Sequence, residues 1–261
     1  MREQLPIPQN LDGIVWHFVA GLGEPHRPAH THKELEVNLC VRGRATYLCQ
    51  SRHYRLSRSA VLWFFPSDVH ELIEWSADFE MWVVVFRPAV VRETALQTGD
   101  SRLTKTHAPE GGLRLLPEET TAFLTSLAQN LQRDALAAGL RFFLARAWAA
   151  FVTEGQSSLA RVVHPAVECA VLALAEGTDD PDSEAFAHRC GLSRARLSHQ
   201  FKLDMGIALV TYRNRKRLER FYRIFGDGRK KTVLDAALEA GFGSAAQFYR
   251  VRRQFSTNLS P

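Results

Sequence analysis

The chain has 261 residues, 46% hydrophobic and 23% charged, the balance of an ordinary globular protein long enough for two separate cores or one large domain. No run of about 18 apolar residues appears, so no membrane-spanning helix is expected. The opening MREQLPIPQNLDG lacks the apolar stretch of a secretory signal, and the expected location is the cytoplasm. The net charge of +5 is unevenly placed: from Arg161 onward there are 17 Lys/Arg against 11 Asp/Glu, and between Arg189 and Arg253 there are 16 against 5. A basic C-terminal half behind a neutral N-terminal half suggests a nucleic-acid footprint, the alternative being a solvated surface rich in arginine. Cys40, Cys49, Cys169 and Cys190 form no CxxC pair, which points to free thiols rather than a cysteine zinc site.

From about residue 12 to 90 the chain reads as strands. LEVNLCVRG, ATYLCQ, AVLWFF and FEMWVVVF are short, rich in β-branched and aromatic residues, and separated by turn-forming or charged clusters. Their close spacing favours an antiparallel β-barrel or sandwich over a βαβ sheet. The segment ending at Gly43 predicts the first hairpin. His30, His32 and Glu36 are spaced by even numbers, so on a strand they share a face. His-x-His, then Glu36, then Gly43 resembles the first cupin motif, and His70 in PSDVH stands where the second cupin motif has its histidine. That resemblance implies an inward-facing site for Zn, Fe, Mn or Ni. The alternative is a retained pattern without metal, with Glu34 as the inward acid and Glu36 paired to an arginine. Trp63, Phe64, Phe65, Trp75 and Trp82 are candidates for an effector pocket or for plain core.

From about Pro117 to Glu154 apolar residues recur at three and four: Phe123, Leu124, Leu127 and Leu131, then Leu136, Leu140, Phe143, Leu144, Ala147, Trp148 and Phe151. With Gly139 inside the stretch, one helix or a pair fits. Such helices would cover the barrel or form a homodimer interface. Residues 156–165 are the linker candidate, dividing a sensor domain over 1–155 from a helical domain over 166–261. The helical pattern stops at Gly177–Pro181 and Gly226–Arg229.

SEAFAHRCGLSRARLSHQF, residues 183–201, carries the grammar of a helix-turn-helix. Ser183 caps a short helix with Phe186 and Ala187 inward. Gly191 permits a left-handed turn, and Leu192 plugs the angle between the helices. Ser193 caps the second helix, with Leu197 and Phe201 in the core. Arg194, Ala195, Arg196, Ser198, His199 and Lys202 then face outward. About 50 residues later VLDAALEAGFGSAAQFYRVRRQF repeats the pattern with Ala237, Gly241, Phe242, Ser244 and Phe248. Its outward face holds Ala245, Ala246, Gln247, Tyr249, Arg250 and Arg253. ALVTYRNRKRLERFYRIF lies between the units as a helical connector.

These motifs resemble those of the AraC/XylS family of transcription regulators over the last hundred residues. The resemblance implies two recognition helices in successive major grooves of double-stranded DNA, a cupin-like sensor domain bound by a small molecule or metal effector, and RNA polymerase as a further partner. It places Ala195, Ser198 and His199, then Ala245, Ala246, Tyr249 and Arg250, toward bases, and Ser193, Arg194 and Lys202 toward phosphates. The sequence departs from the family at Arg252, where an aromatic residue is usual, and at Ser256, where glycine is common. The expected architecture is a mixed two-domain chain: an antiparallel β-barrel with accessory helices, then an all-α domain with two helix-turn-helix units. The rival reading is a cupin metalloenzyme, a dioxygenase or isomerase with a helical extension. A second catalytic group for it is not evident, and no enzymatic activity is expected.

Overall fold

The computed structural model describes residues 3–21, 28–50, 52–108, 112–133, 137–157, 161–178, 183–226, 228 and 231–256. The chain divides into two compact units, Met1–Arg161 and Val162–Pro261. Among the described residues no helix is long and apolar enough to cross a membrane.

The first unit opens with strands β1 (Gly13–Val19), β2 (Leu35–Arg42), β3 (Arg44–Cys49), β4 (Arg52–Ser57), β5 (Ala60–Phe64), β6 (His70–Trp75) and β7 (Glu80–Phe86). Helix α1 (Pro88–Thr98), strand β8 (Leu113–Leu115), helices α2 (Glu118–Leu131) and α3 (Ala137–Thr153), and strand β9 (Gln156–Ser157) follow. One sheet runs β1-β7-β2-β5-β8-β9, and a second sets β4, β3 and β6 side by side. The paired strands are antiparallel.

The larger sheet is buried on both faces, which is why its strands read as apolar runs rather than alternating patterns. Leu35, Val37, Leu39, Val61, Trp63, Trp82, Val84 and Phe86 share one core with Leu124, Leu140, Phe143, Leu144, Ala147, Trp148 and Phe151 of the helices. Cys40, Leu62, Phe64, Met81, Val83 and Val85 turn the other way and pack with Ala45, Tyr47, Tyr54 and Leu56 of the smaller sheet. Glu36 and Asn38 alternate with the first set along β2, so they point between the sheets.

Two expectations are corrected here. The segments on either side of Gly43 do not form a hairpin: β2 pairs with β5 and β7, while β3 pairs with β4 and β6. Gly43 is the corner at which the chain passes from one sheet to the other. It takes φ of +71°, and a Cβ there would lie 2.6 Å from the Cα of Phe79. The stretch taken as linker also contributes to the first unit, since Gln156 and Ser157 pair with Leu115 and Arg114 as an edge strand. Of the remainder, 158–160 lie outside the described residues.

Between Pro117 and Glu154 the chain forms two helices, α2 and α3, and their buried sides cover the larger sheet. Helix α1 has no counterpart in the sequence reading. Pro88 starts it, where a missing N–H costs nothing, and Gly99 ends it in the left-handed region.

The second unit is helical: α4 (Pro165–Glu176), α5 (Ser183–Arg189), α6 (Arg194–Met205), α7 (Leu209–Phe225), α8 (Val233–Glu239) and α9 (Ala245–Ser256). Gly177 and Gly226 terminate α4 and α7 with positive φ. The position of Ser183 differs from expectation, because it lies inside the first turn of α5 and not before it.

Gly43→Ala is expected to destabilise the first unit by at least about 1–3 kcal/mol from the backbone conformation alone. A lowered thermal midpoint for that unit checks it; an unchanged midpoint would contradict the corner geometry.

Candidate DNA interface and metal site

The two helix-turn-helix units are built by the same local bonds. In the first, the Gly191 N–H donates to the His188 carbonyl at 2.9 Å and the Leu192 N–H to the Ala187 carbonyl at 3.1 Å. In the second, Gly241 donates to Leu238 at 3.0 Å and Phe242 to Ala237 at 3.0 Å. Both glycines have positive φ, +81° and +94°. The residues after the turn then cap the recognition helix. Ser193 Oγ accepts from the Arg196 N–H at 3.5 Å, and Ser244 Oγ accepts from the Gln247 N–H at 3.1 Å. The second turn is one residue longer, with Gly243 between plug and cap. Gln247 uses the extra residue: its side-chain oxygen accepts from the Gly243 N–H at 2.8 Å, closing a variant of the capping box. Gln247 was read as an outward-facing contact, and its acceptor is instead engaged in holding the helix start.

Each recognition helix is anchored on α7 by an aromatic pair. Phe201 of α6 meets Tyr212 with ring centroids 5.5 Å apart, and Phe248 of α9 meets Phe221 at 4.3 Å. Val251 is buried beside Phe248, and Phe255 packs half-buried against the same cluster. Helix α9 thus packs through residues 248, 251 and 255, which leaves Arg252 exposed and accounts for the missing aromatic residue at that position. Ser193, Arg194, Ala195, Arg196, Ser198, His199 and Lys202 are exposed, as are Ser244, Ala246, Tyr249, Arg250 and Arg253; Ala245 and Gln247 are half-buried. Beside α6 runs a groove of about 430 Å³ lined by His164, Leu192, Ala195, Arg196, His199 and Gln200.

The basic charge is not all surface charge. Arg213, Lys216 and Arg217 on α7 are buried. Arg213 stacks over Phe186 at 4.7 Å, and Lys216 pairs with Glu219 at 3.1 Å. Arg220 donates to the carbonyls of Leu174 and Ala240, each at 3.2 Å, tying α4 to the end of α8. The charge count over 189–253 therefore overstates what faces a ligand.

In the first unit, His30, His32 and His70 are buried, and a ligand atom from each lies within 4.8 Å of the others. The backbones of His30 and His70 exchange hydrogen bonds of 3.1 and 2.9 Å. That bridge brings a segment preceding β2 against the start of β6. His30 and His32 are thus held by the bridge and not on β2 itself. Each Nδ1 faces a backbone carbonyl: His30 to Pro28 at 2.8 Å, His32 to Glu34 at 3.1 Å, and His70 to Asp68 at 3.0 Å. With Nδ1–H donating there, Nε2 is the second nitrogen of each ring, and at His30 and His32 it faces the carboxylates of Glu3 and Glu36 at 3.4 and 3.1 Å. His70 Nε2 is buried without a hydrogen-bond partner.

Glu36 pairs with His32 Nε2 at 3.1 Å and accepts from Asn38 at 2.7 Å, not from an arginine. Glu34 is also buried, on the Nδ1 side of His32 at 3.9 Å. Burial works to raise the Glu36 pKa, but interactions with His32, His70 and Asn38 outweigh it and hold the carboxyl at about 2. Burial works to lower the His32 pKa, and Glu36 with Glu34 raises it above the ordinary histidine value. His70, for which burial dominates, is lowered to about 4 and stays a neutral imidazole. Three imidazoles with a nearby carboxylate form a donor set suited to a borderline divalent ion.

A family profile described as an AraC-like ligand binding domain matches residues 17–141, and a helix-turn-helix domain profile matches residues 186–260. Together they take in well over half of the chain, one on each unit. The chain belongs to the AraC-type DNA-binding regulators. Its N-terminal unit is the ligand-binding domain, cupin-like in its antiparallel sheets, and its C-terminal unit is the DNA-binding domain. No curated protein matches this regulator at a significant level. Among solved structures, ToxT from Vibrio cholerae O395 is 13% identical, with 97% of this chain and 99% of that chain covered and a TM-score of 0.38. The AraC-like transcriptional activator CuxR is 17% identical over 73% of this chain and 68% of that chain, with a TM-score of 0.33. A Cupin 2 conserved barrel domain protein from Salinispora arenicola CNS-205 is 19% identical over 36% of this chain and 82% of that one, with a TM-score of 0.25.

The five aromatic residues that are candidates for an effector pocket or for plain core divide between the two cores and the surface. Trp63, Phe65 and Trp82 belong to the core under the helices, and Phe64 to the core between the sheets, where it stacks on His70 at 3.9 Å. Trp75 lines a surface groove of about 350 Å³ with Arg44, Arg55 and Glu74.

Proposed function

We propose that this AraC-type regulator reads two successive major-groove segments with α6 and α9, and that a divalent metal ion bound by His30, His32 and His70, with the Glu36 carboxylate beside them, is its effector. The observation that carries the DNA reading is the matched pair of turns, each delivering a capped and exposed helix from the same side chains. Ala195, Ser198 and His199 on α6, and Ala245, Ala246, Tyr249 and Arg250 on α9, are assigned to bases. Ser193, Arg194, Arg196, Lys202, Ser244 and Arg253 are assigned to the sugar-phosphate backbone, where most contacts of such an interface go. The protein would act in the cytoplasm, and its occupancy beside a promoter would change access by RNA polymerase.

The metal reading is supported by the three fixed tautomers and the buried Nε2 of His70. Zn, Fe, Mn and Ni all suit this donor set. Zinc titration of the full-length chain by calorimetry checks it: no zinc binding by the wild type, or undiminished binding by His70→Ala, would overturn the metal reading.

A homodimer is assigned to the outer face of α3. Ala138, Phe142, Ala145, Ala149 and Val152 recur there at four and three residues, with Phe142 52% and Val152 41% exposed. In an antiparallel second copy Phe142 lies opposite Ala149 and Ala138 opposite Val152, so large faces small. The flanking Arg141 and Arg146 are already paired with Glu93 and Glu154, at 2.6 and 3.7 Å, which removes like-charge repulsion across the seam. Phe142→Glu is expected to convert a dimer into a monomer in analytical ultracentrifugation; a monomeric wild-type chain would contradict the assignment.

For DNA, the affinity for promoter fragments should fall steeply as salt rises. Arg250→Ala should cost about 1–3 kcal/mol and relax preference at one base position. Gel-shift titrations at several salt concentrations check both, and binding indifferent to salt would overturn the reading.

A further inference from the structure

The groove beside α6 is not made by the helix-turn-helix alone. His164, the N-cap of α4, lines it together with Ala195, Arg196, His199 and Gln200 of α6. Helix α6 buries Leu197, Phe201, Asp204 and Met205. At about 100° per residue, Ala195, His199 and Lys202 stand opposite that buried side, and Arg196 and Gln200 stand together on one flank. An α-helix with its side chains is about 10–12 Å across, and the major groove of B-DNA is about 12 Å wide. With its outward side toward the bases, such a helix has its flanks against the two phosphate walls.

His164 is fastened to the Arg196 flank. Its backbone N–H donates to Asp204 Oδ2 at 2.8 Å, and the Gln200 side-chain nitrogen donates to Asp204 Oδ1 at 3.0 Å. Asp204 is buried, so it ties the start of α4 to α6 from within. The ring of His164 is fixed as well. Its Nδ1 accepts from the Ala166 N–H at 3.1 Å, capping α4. With Nδ1 accepting, the neutral ring carries its proton on Nε2. The exposed imidazole can therefore offer a ligand only a donor. A phosphate oxygen, which only accepts, is the partner that fits.

We propose that His164 is a further DNA contact of this regulator, donating from Nε2 to a backbone phosphate on the wall beside Arg196. This rests on the DNA reading of α6 given above. The contact comes from outside the helix-turn-helix, and through Asp204 it couples the seating of α6 on the duplex to the start of α4.

The test uses the full-length chain and a duplex that the wild type selects from a random-sequence pool. His164→Asn keeps a favoured N-cap for α4 and has no group at the position of Nε2. It should keep the wild-type thermal midpoint and bind that duplex about tenfold more weakly. Other duplexes should lose a similar factor, because a phosphate carries no sequence information. The salt slope should stay as in the wild type, since a neutral donor releases no counterion, whereas Arg196→Ala should lower it by about 0.9. Ethylation interference separates contact from a structural role: one ethylated phosphate that weakens the wild type should no longer weaken His164→Asn. Equal affinity, or the same interference pattern in both proteins, would overturn the contact and leave α6 as a reader. Failure of the wild type to select any duplex would overturn the DNA reading itself.

Discussion

Both recognition helices rest on α7, and their placement is set by two aromatic contacts made by that one helix. Tyr212 holds Phe201 near its start, and Phe221 holds Phe248 nine residues later, about 13 Å along the axis at the rise of an α-helix. Because α7 is continuous between them, neither unit can turn independently without breaking an aromatic pair. The basic residues of α7 reinforce this, with half-buried Arg220 linking α4 to α8 and buried Arg213 lying over Phe186 of α5. A double reader of DNA needs a fixed phase between its two helices, and here phase is a packing property.

The sensor unit solves a different problem. It keeps a polar cluster in the interior of a small sandwich, where unpaired groups are costly. His70 Nε2 and Glu34 Oε2 are buried without hydrogen-bond partners, while the Nδ1 atoms of all three histidines are tied to backbone carbonyls. Apolar residues of similar volume would pack there at lower cost. The arrangement makes physical sense when the cluster serves a ligand whose binding supplies the missing interactions.

Much of this was legible in the sequence because it depends on local chemistry. Gly191 and Gly241 mark turns that only positive φ allows, and Ser193 and Ser244 mark helix starts, so both units follow from spacing alone. Partner choice was not legible. Nothing local to Gly43 says that β2 and β3 belong to different sheets, since the register is decided by strands far along the chain. Helix α1 is not evident in the sequence because Val90 and Val91 prolong the β-branched pattern of the strands before it, and no acidic residue stands in its first turn. The burial of Arg213, Lys216 and Arg217 was hidden because charge counting assumes exposure. Gln247 looks like an outward-facing DNA contact until the extra residue Gly243 gives its oxygen a nearby donor. His30, His32 and His70 were legible as a set, but the bridge that joins His30 to His70 is a tertiary contact.

The central claim is that one rigid helix sets the phase between two DNA-reading helices, and hydroxyl-radical footprinting of the protein on a bound promoter tests it most directly. The account predicts two protected segments on one face of the duplex, centred about one helical turn, or 10–10.5 base pairs, apart. A single protected segment, or two on opposite faces, would contradict it.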